Sequence, residues 1–126
     1  MFTTLIPVAL GGALGASARY LTNVAVARAA GVGFPLGTMV VNVVGSFLMG
    51  VLVVVLARKA GNAAAPFLMT GVLGGFTTFS AFTLDTLTLF ERGAVGQAAL
   101  YASLSVALSL GAIVLGLVVA RAVVPL

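Results

Sequence analysis

The sequence contains no cysteine, no histidine and no tryptophan, and only two acidic residues, Asp85 and Glu91, among 126. Absence of cysteine excludes disulfides and thiol chemistry, and absence of histidine removes the usual acid–base group and most transition-metal sites. Charged residues make up 6% of the chain, where a soluble domain carries about a quarter, so there is too little charge to cover a water-facing surface. The net charge of +4 comes from six Lys/Arg scattered near the ends of apolar runs. Such residues read as membrane anchors, not as the solvated basic patch that nucleic acid requires. There is no phosphate-binding glycine loop, no metal-ligand cluster and no nucleophile with a base. Enzyme chemistry is not expected.

What the chain does have is apolar sequence, 62% of all residues. Four runs stand out, from about Thr4 to Ala27, Pro35 to Ala57, Pro66 to Phe90 and Ala94 to Val124. A crossing helix takes roughly 20 residues, so the sequence predicts one all-α membrane domain of four spans over residues 1–126. Short turns join them, at Ala30-Gly31-Val32-Gly33, Arg58-Lys59-Ala60-Gly61-Asn62 and Glu91-Arg92-Gly93. Pro35 and Pro66 suit first-turn positions, where a missing N–H costs nothing. Ala16-Ser17-Ala18 resembles a signal-cleavage site, but no Lys or Arg precedes the run and three spans follow, so the first segment is expected to stay.

Alternating helix ends place Arg58, Lys59 and Arg121 on one side, against Arg28, Arg92 and a snorkelling Arg19 on the other. Three against three gives no orientation under the positive-inside rule. The balance fits a weak bias, and equally a chain that inserts both ways and pairs antiparallel. Gly11-xxx-Gly15, Gly12-xxx-Ala16 and Gly71-xxx-Gly75 are small-xxx-small pairs that let helices approach closely, within one chain or between two. Four packed spans leave no aqueous path inside one chain, so a conduit is expected along helix faces at a dimer interface.

Polar residues inside spans are costly and mark candidate sites. Thr38, Asn42 and Ser46 recur every four residues on one face of the second span, and Tyr101, Ser105 and Ser109 do so on the fourth. Such residues also serve as glue between helices, but two uncharged donor stripes suit an ion that is stripped of water, held weakly and released. In the third span, Gly71-Val72-Leu73-Gly74-Gly75-Phe76-Thr77-Thr78-Phe79-Ser80-Ala81-Phe82 combines paired glycines with a polar, β-branched cluster. This reads either as glycine-mediated packing or as an interrupted helix whose freed carbonyls coordinate a hard cation such as Na⁺. Phe76, Phe79 and Phe82 lie three apart, a stripe that ordinarily faces lipid or core, although positive ring edges also suit an anion. Arg19 either snorkels or forms a cationic entrance. Asp85 is about a turn and a half from Phe90 and Glu91, within reach of the membrane–water interface.

Gly12-Ala13-Leu14-Gly15-Ala16-Ser17-Ala18-Arg19-Tyr20, the run Pro35 to Phe47 with Asn42, and Gly71 to Ser80 with its Gly-Gly-Phe-Thr-Thr-Phe-Ser core resemble the signature segments of the Fluc/CrcB fluoride channels. The resemblance implies a four-helix membrane protein with a broken third helix, paired as an antiparallel dual-topology homodimer in the plasma (inner) membrane. It implies passive fluoride export and relief of fluoride toxicity. Backbone carbonyls of Gly74 and Thr77 would hold a structural Na⁺ at the dimer centre. Thr38, Asn42, Phe79, Ser80, Phe82, Tyr101, Ser105 and Ser109 would line the fluoride path, with Arg19 at the vestibule. Ala81 departs from the family, many of whose members carry Thr there. Two other readings compete. A small proton-coupled efflux transporter needs a carboxylate deep in the first span, and this one has none. A non-transporting membrane scaffold predicts no flux.

Overall fold

A computed structural model describes every residue except Gly61, so the glycine expected in the second turn lies outside the described residues. Helix α1 covers Phe2–Ala30 and α2 covers Leu36–Val55, the latter continued by a wider, π-wound stretch over Leu56–Ala60. The third rod comes in two pieces. Its first piece, α3, is π-wound over Pro66–Leu73 and closes with an α turn at Gly74–Phe76, while the second, α4, is Phe79–Glu91. Helix α5 covers Val95–Val123.

Among the described residues, three segments are long and apolar enough to cross a membrane: Leu36–Lys59, Pro66–Glu91 and Val95–Val123. Four apolar crossings were expected. Helix α1 equals α5 in length, 29 residues, or roughly 44 Å at 1.5 Å per residue. It is less apolar because Arg19, Asn23 and Arg28 fall in its C-terminal half. Arg19 does not need water for its polar contact: it reaches inward to a backbone carbonyl of α3.

Helix α2 packs chiefly on α5, and α1 on α3, with α4 resting on α5. Both main crossings run through glycine. A Cβ on Gly71 would stand 2.9 Å from Gly11 Cα, and one on Gly75 would stand 2.7 Å from Gly12 O. The small-xxx-small pairs of α1 and α3 therefore serve contact within the chain. At the second crossing, a Cβ on Gly50 would come within 2.9 Å of Leu117 N, and one on Gly116 within 3.1 Å of Phe47 C. Close backbone approach replaces the hydrophobic drive that lipid does not supply.

Two arginines tie the ends of the bundle. Arg58 donates to Arg121 O at 3.1 Å and Val124 O at 2.9 Å, and Arg92 donates to Gly33 O at 2.9 Å. These contacts cover helix-terminal or loop carbonyls, which need partners near a membrane. A buried cluster of Met39, Leu89, Ala98 and Tyr101 lies between α2, α4 and α5. Leucines and valines elsewhere, such as Leu10, Leu14, Leu110 and Val114, point outward, as lipid-facing side chains do.

Candidate functional site

The third rod breaks at Thr77 and Thr78, which are both extended, at φ −89°, ψ 156° and φ −153°, ψ 119°. Both readings of this segment are realised: Gly71 and Gly75 press against α1, and the helix is interrupted just after them. Thr78 caps the new helix, its Oγ1 accepting from Ala81 N at 3.1 Å. Asn42 of α2 then closes the gap. Its Oδ1 accepts from Thr78 N at 2.8 Å, and its Nδ2 donates to Thr78 O at 3.0 Å. The reversed amide would set oxygen against oxygen and N–H against N–H, so the network fixes the amide orientation.

These diversions decide which carbonyls are left over. In a continuous α-helix, Thr78 N would bond to Gly74 O and Ala81 N to Thr77 O; here they bond to Asn42 Oδ1 and Thr78 Oγ1. Gly75 O, whose helical donor would be Phe79 N, accepts instead from Arg19 Nε at 3.1 Å. Gly74 and Thr77 thus lose their helical donors to side chains, and a carbonyl oxygen without a donor is the ligand type that hard cations take. The break also sets two helix ends back to back. The carbonyl end of α3 carries partial negative charge, and the amide end of the 13-residue α4 carries partial positive charge.

Beside the break lies a groove of about 260 Å³, open on one side. Asn42 and Ser46 line it from α2, and Ser105, Val106 and Ser109 from α5. Thr77, Thr78, Phe79 and Phe82 complete it. Among the described residues, no ionisable side chain lines it. The Phe79 and Phe82 rings stand 5.6 Å apart at 46°, and Phe82 leans on Tyr101 at 5.5 Å. Phe79 is 75% exposed, so the groove's outer wall is bare in the single chain.

Of the residues expected on the path, Asn42, Phe79, Phe82, Ser105 and Ser109 are brought together here. Ser105 Oγ is buried close to the Tyr101 hydroxyl and has no well-formed hydrogen bond among the described residues. Tyr101 does not reach the groove. It is fully buried, flanked by Phe34 and Phe82, and donates to Asp85 Oδ2 at 3.0 Å. Thr38 is separate as well, lining a second cavity of about 260 Å³ with Asn23 and Asp85. Ser80 is exposed next to the cap, with its hydroxyl 3.3 Å from Thr78 Oγ1. Arg19 is half-buried on Gly75, and Gly74 is exposed. Ser46, part of the expected α2 stripe, lines the groove as well, whereas Thr78 and Val106 were not among the expected path residues. For Thr78 a signal existed, since a threonine ahead of an apolar helical run is an N-cap pattern.

A family model described as CrcB-like protein, Camphor Resistance (CrcB), matches residues 6–117. The chain belongs to the CrcB family. Among relatives of this CrcB chain, a "Fluoride-specific ion channel FluC" of Cereibacter sphaeroides is 68% identical over 121 residues, covering 96% of this chain and 97% of the relative. One of the same name from a Ruegeria species is 60% identical over 124 residues, covering 98% of both chains. A third, from Paracoccus denitrificans, is 55% identical over 118 residues, covering 94% of both. All three are named as ion channels and none as an enzyme. The CrcB match takes in most of α1, all of α2 to α4 and most of α5, and so every residue of the groove and the break.

Proposed function

We propose that this CrcB protein is a fluoride channel that lets the anion leave the cytoplasm passively. The observation that carries the reading is the groove at the helix break. It offers the second Nδ2–H of Asn42, the hydroxyls of Ser46, Ser105 and Ser109 and the edges of Phe79 and Phe82, with no fixed charge. Neutral donors and ring edges replace the water of a small, strongly hydrated anion without trapping it. The amide end of α4 adds partial positive charge beside them. Hydrogen fluoride crosses membranes as the neutral acid and ionises in a neutral cytoplasm. A passive route then suffices, because a negative interior is worth about 2.3 kcal/mol per 100 mV on a monovalent anion.

The working unit in this reading is an antiparallel homodimer in the plasma (inner) membrane. The exposed Phe79 and Gly74 support it, because a second copy would cover the open side of the groove and the uncommitted carbonyls. Gly74 and Thr77 of two copies would present four carbonyl oxygens to a structural Na⁺, which would neutralise those dipoles and fix the two breaks together. Arg58 and Arg92 hold equivalent caps at opposite ends, which suits a chain that sits either way up.

Liposomes loaded with fluoride and carrying the purified protein should empty when a shunt for counter-charge is added, while chloride-loaded ones stay full. Retention of fluoride by folded protein would overturn the proposal. Orientation is tested by Asn62→Cys, at an exposed position in a chain with no cysteine of its own. An impermeant thiol reagent should label half the molecules from each side of the cell membrane. Labelling from one side only would exclude the antiparallel pair.

A further inference from the structure

The break frees several carbonyls, yet only some of them remain uncommitted, and the choice is made by side chains of other helices. Thr78 O goes to Asn42 and Gly75 O goes to Arg19. Arg19 lies 56 positions from Gly75 in sequence, on the helix whose glycines press α3 most closely. A Cβ on Gly75 would stand 2.7 Å from Gly12 O and 3.1 Å from Ala16 N, so the α1 backbone fixes where this carbonyl can point. The guanidinium is planar and its Nε–H has a set direction, whereas an ammonium swivels.

We propose that Arg19 is a positioning residue for the cation site: by occupying the Gly75 carbonyl it keeps that oxygen away from a cation held by Gly74 and Thr77. The inference rests on the reading that these two carbonyls hold Na⁺. Without the Nε–H bond, Gly75 O becomes free one residue from Gly74 O. A larger and less rigid set of oxygens then favours K⁺ relative to Na⁺, since the number and field strength of carbonyls set that preference. The guanidinium charge has a different effect. It opposes every monovalent cation alike, so its removal shifts both affinities together and leaves their ratio unchanged. The ratio isolates the positioning role.

The test is thermal unfolding of the purified full chain in detergent, titrated with NaCl or KCl at constant ionic strength maintained with choline chloride. Wild-type protein is expected to be stabilised at lower Na⁺ than K⁺ concentration. Arg19→Gln should lower that Na⁺/K⁺ preference by about fivefold, the worth of one hydrogen bond, and Arg19→Lys should follow it although the charge is kept. Arg28→Gln removes an exposed α1 charge with no contact to the break and should match wild type. A uniform loss of stability in Arg19→Gln with an unchanged ratio would mark a merely structural residue and overturn the proposal. So would a wild-type chain indifferent to Na⁺, a result that leaves fluoride efflux standing. If neither Arg19 variant folds, NMR of wild-type protein decides: a slowly exchanging Arg19 Nε–H supports the clamp, and a freely exchanging one overturns it.

Discussion

Asn42→Leu should reduce fluoride efflux from liposomes by about thirtyfold or more while the chain still inserts as a helical membrane protein. Leucine nearly matches asparagine in shape but supplies neither hydrogen bond to Thr78. The extended Thr78 would then keep an N–H and a C=O without partners, at about 1–3 kcal/mol each. Even the lower end for two groups, about 2 kcal/mol, is a factor of about thirty in the population of the aligned break. The same substitution strips the groove of the Asn42 side-chain amide. Asn42→Asp should not rescue. Its second carboxylate oxygen would face Thr78 O where an N–H is required, and its charge would stand in the path of an anion. Efflux at the wild-type rate in Asn42→Leu would show that neither the break nor the amide matters to conduction.

Gly45→Val should be nearly as damaging, by crowding instead of loss. Gly45 lies one turn beyond Asn42 on the same face of α2. A Cβ there would run into the Thr77 methyl Cγ2 and come 3.3 Å from the Phe76 ring. Thr77 cannot simply rotate aside, because its Oγ1 donates to Leu73 O at 2.9 Å and its N–H to the same oxygen at 3.0 Å. The strain, about 1–3 kcal/mol for overpacking of this kind, would fall on the break between α3 and α4, beside the groove. Gly45→Ala should show a milder loss. Thr77→Ser removes the methyl and keeps the hydroxyl, so the double variant Gly45→Ala/Thr77→Ser should recover flux beyond the sum of the single effects. Strict additivity would argue against direct contact, since touching residues couple.

Much of this arrangement can be read from the residues. Apolar runs bounded by Gly, Pro and Arg locate the helices, because a lipid-facing rod requires apolar side chains all round. The small-xxx-small pairs identify the α1–α3 crossing, though not that it joins helices of the same chain. The position of the break was less legible. Glycines signal irregular backbone, but Gly71 and Gly75 are used for close approach, and the chain opens two residues later, where Thr78 can cap α4 and Asn42 can reach Thr78. That choice depends on a partner 36 positions away. The four-residue stripes were only partly informative for the same reason. Asn42 and Ser46 share the groove, whereas Thr38, one turn earlier, has passed beyond α4's cap and stands by Asp85. Tyr101 likewise begins the α5 stripe but is drawn aside by Asp85, a pairing that no spacing within α5 reveals.

The two side chains that satisfy the break, Arg19 and Asn42, both precede it in the chain. During synthesis they leave the ribosome before Thr77 and Thr78 do. The interrupted rod therefore never has to pause in lipid with its peptide groups bare, because the partners are in place as it emerges. The reverse chain order would expose the break to hydrocarbon until the later helices arrived, inviting a straight, wrongly registered span. Moving α1 and α2 to the C-terminus by circular permutation would leave every contact available in the finished fold, yet remove this order of arrival.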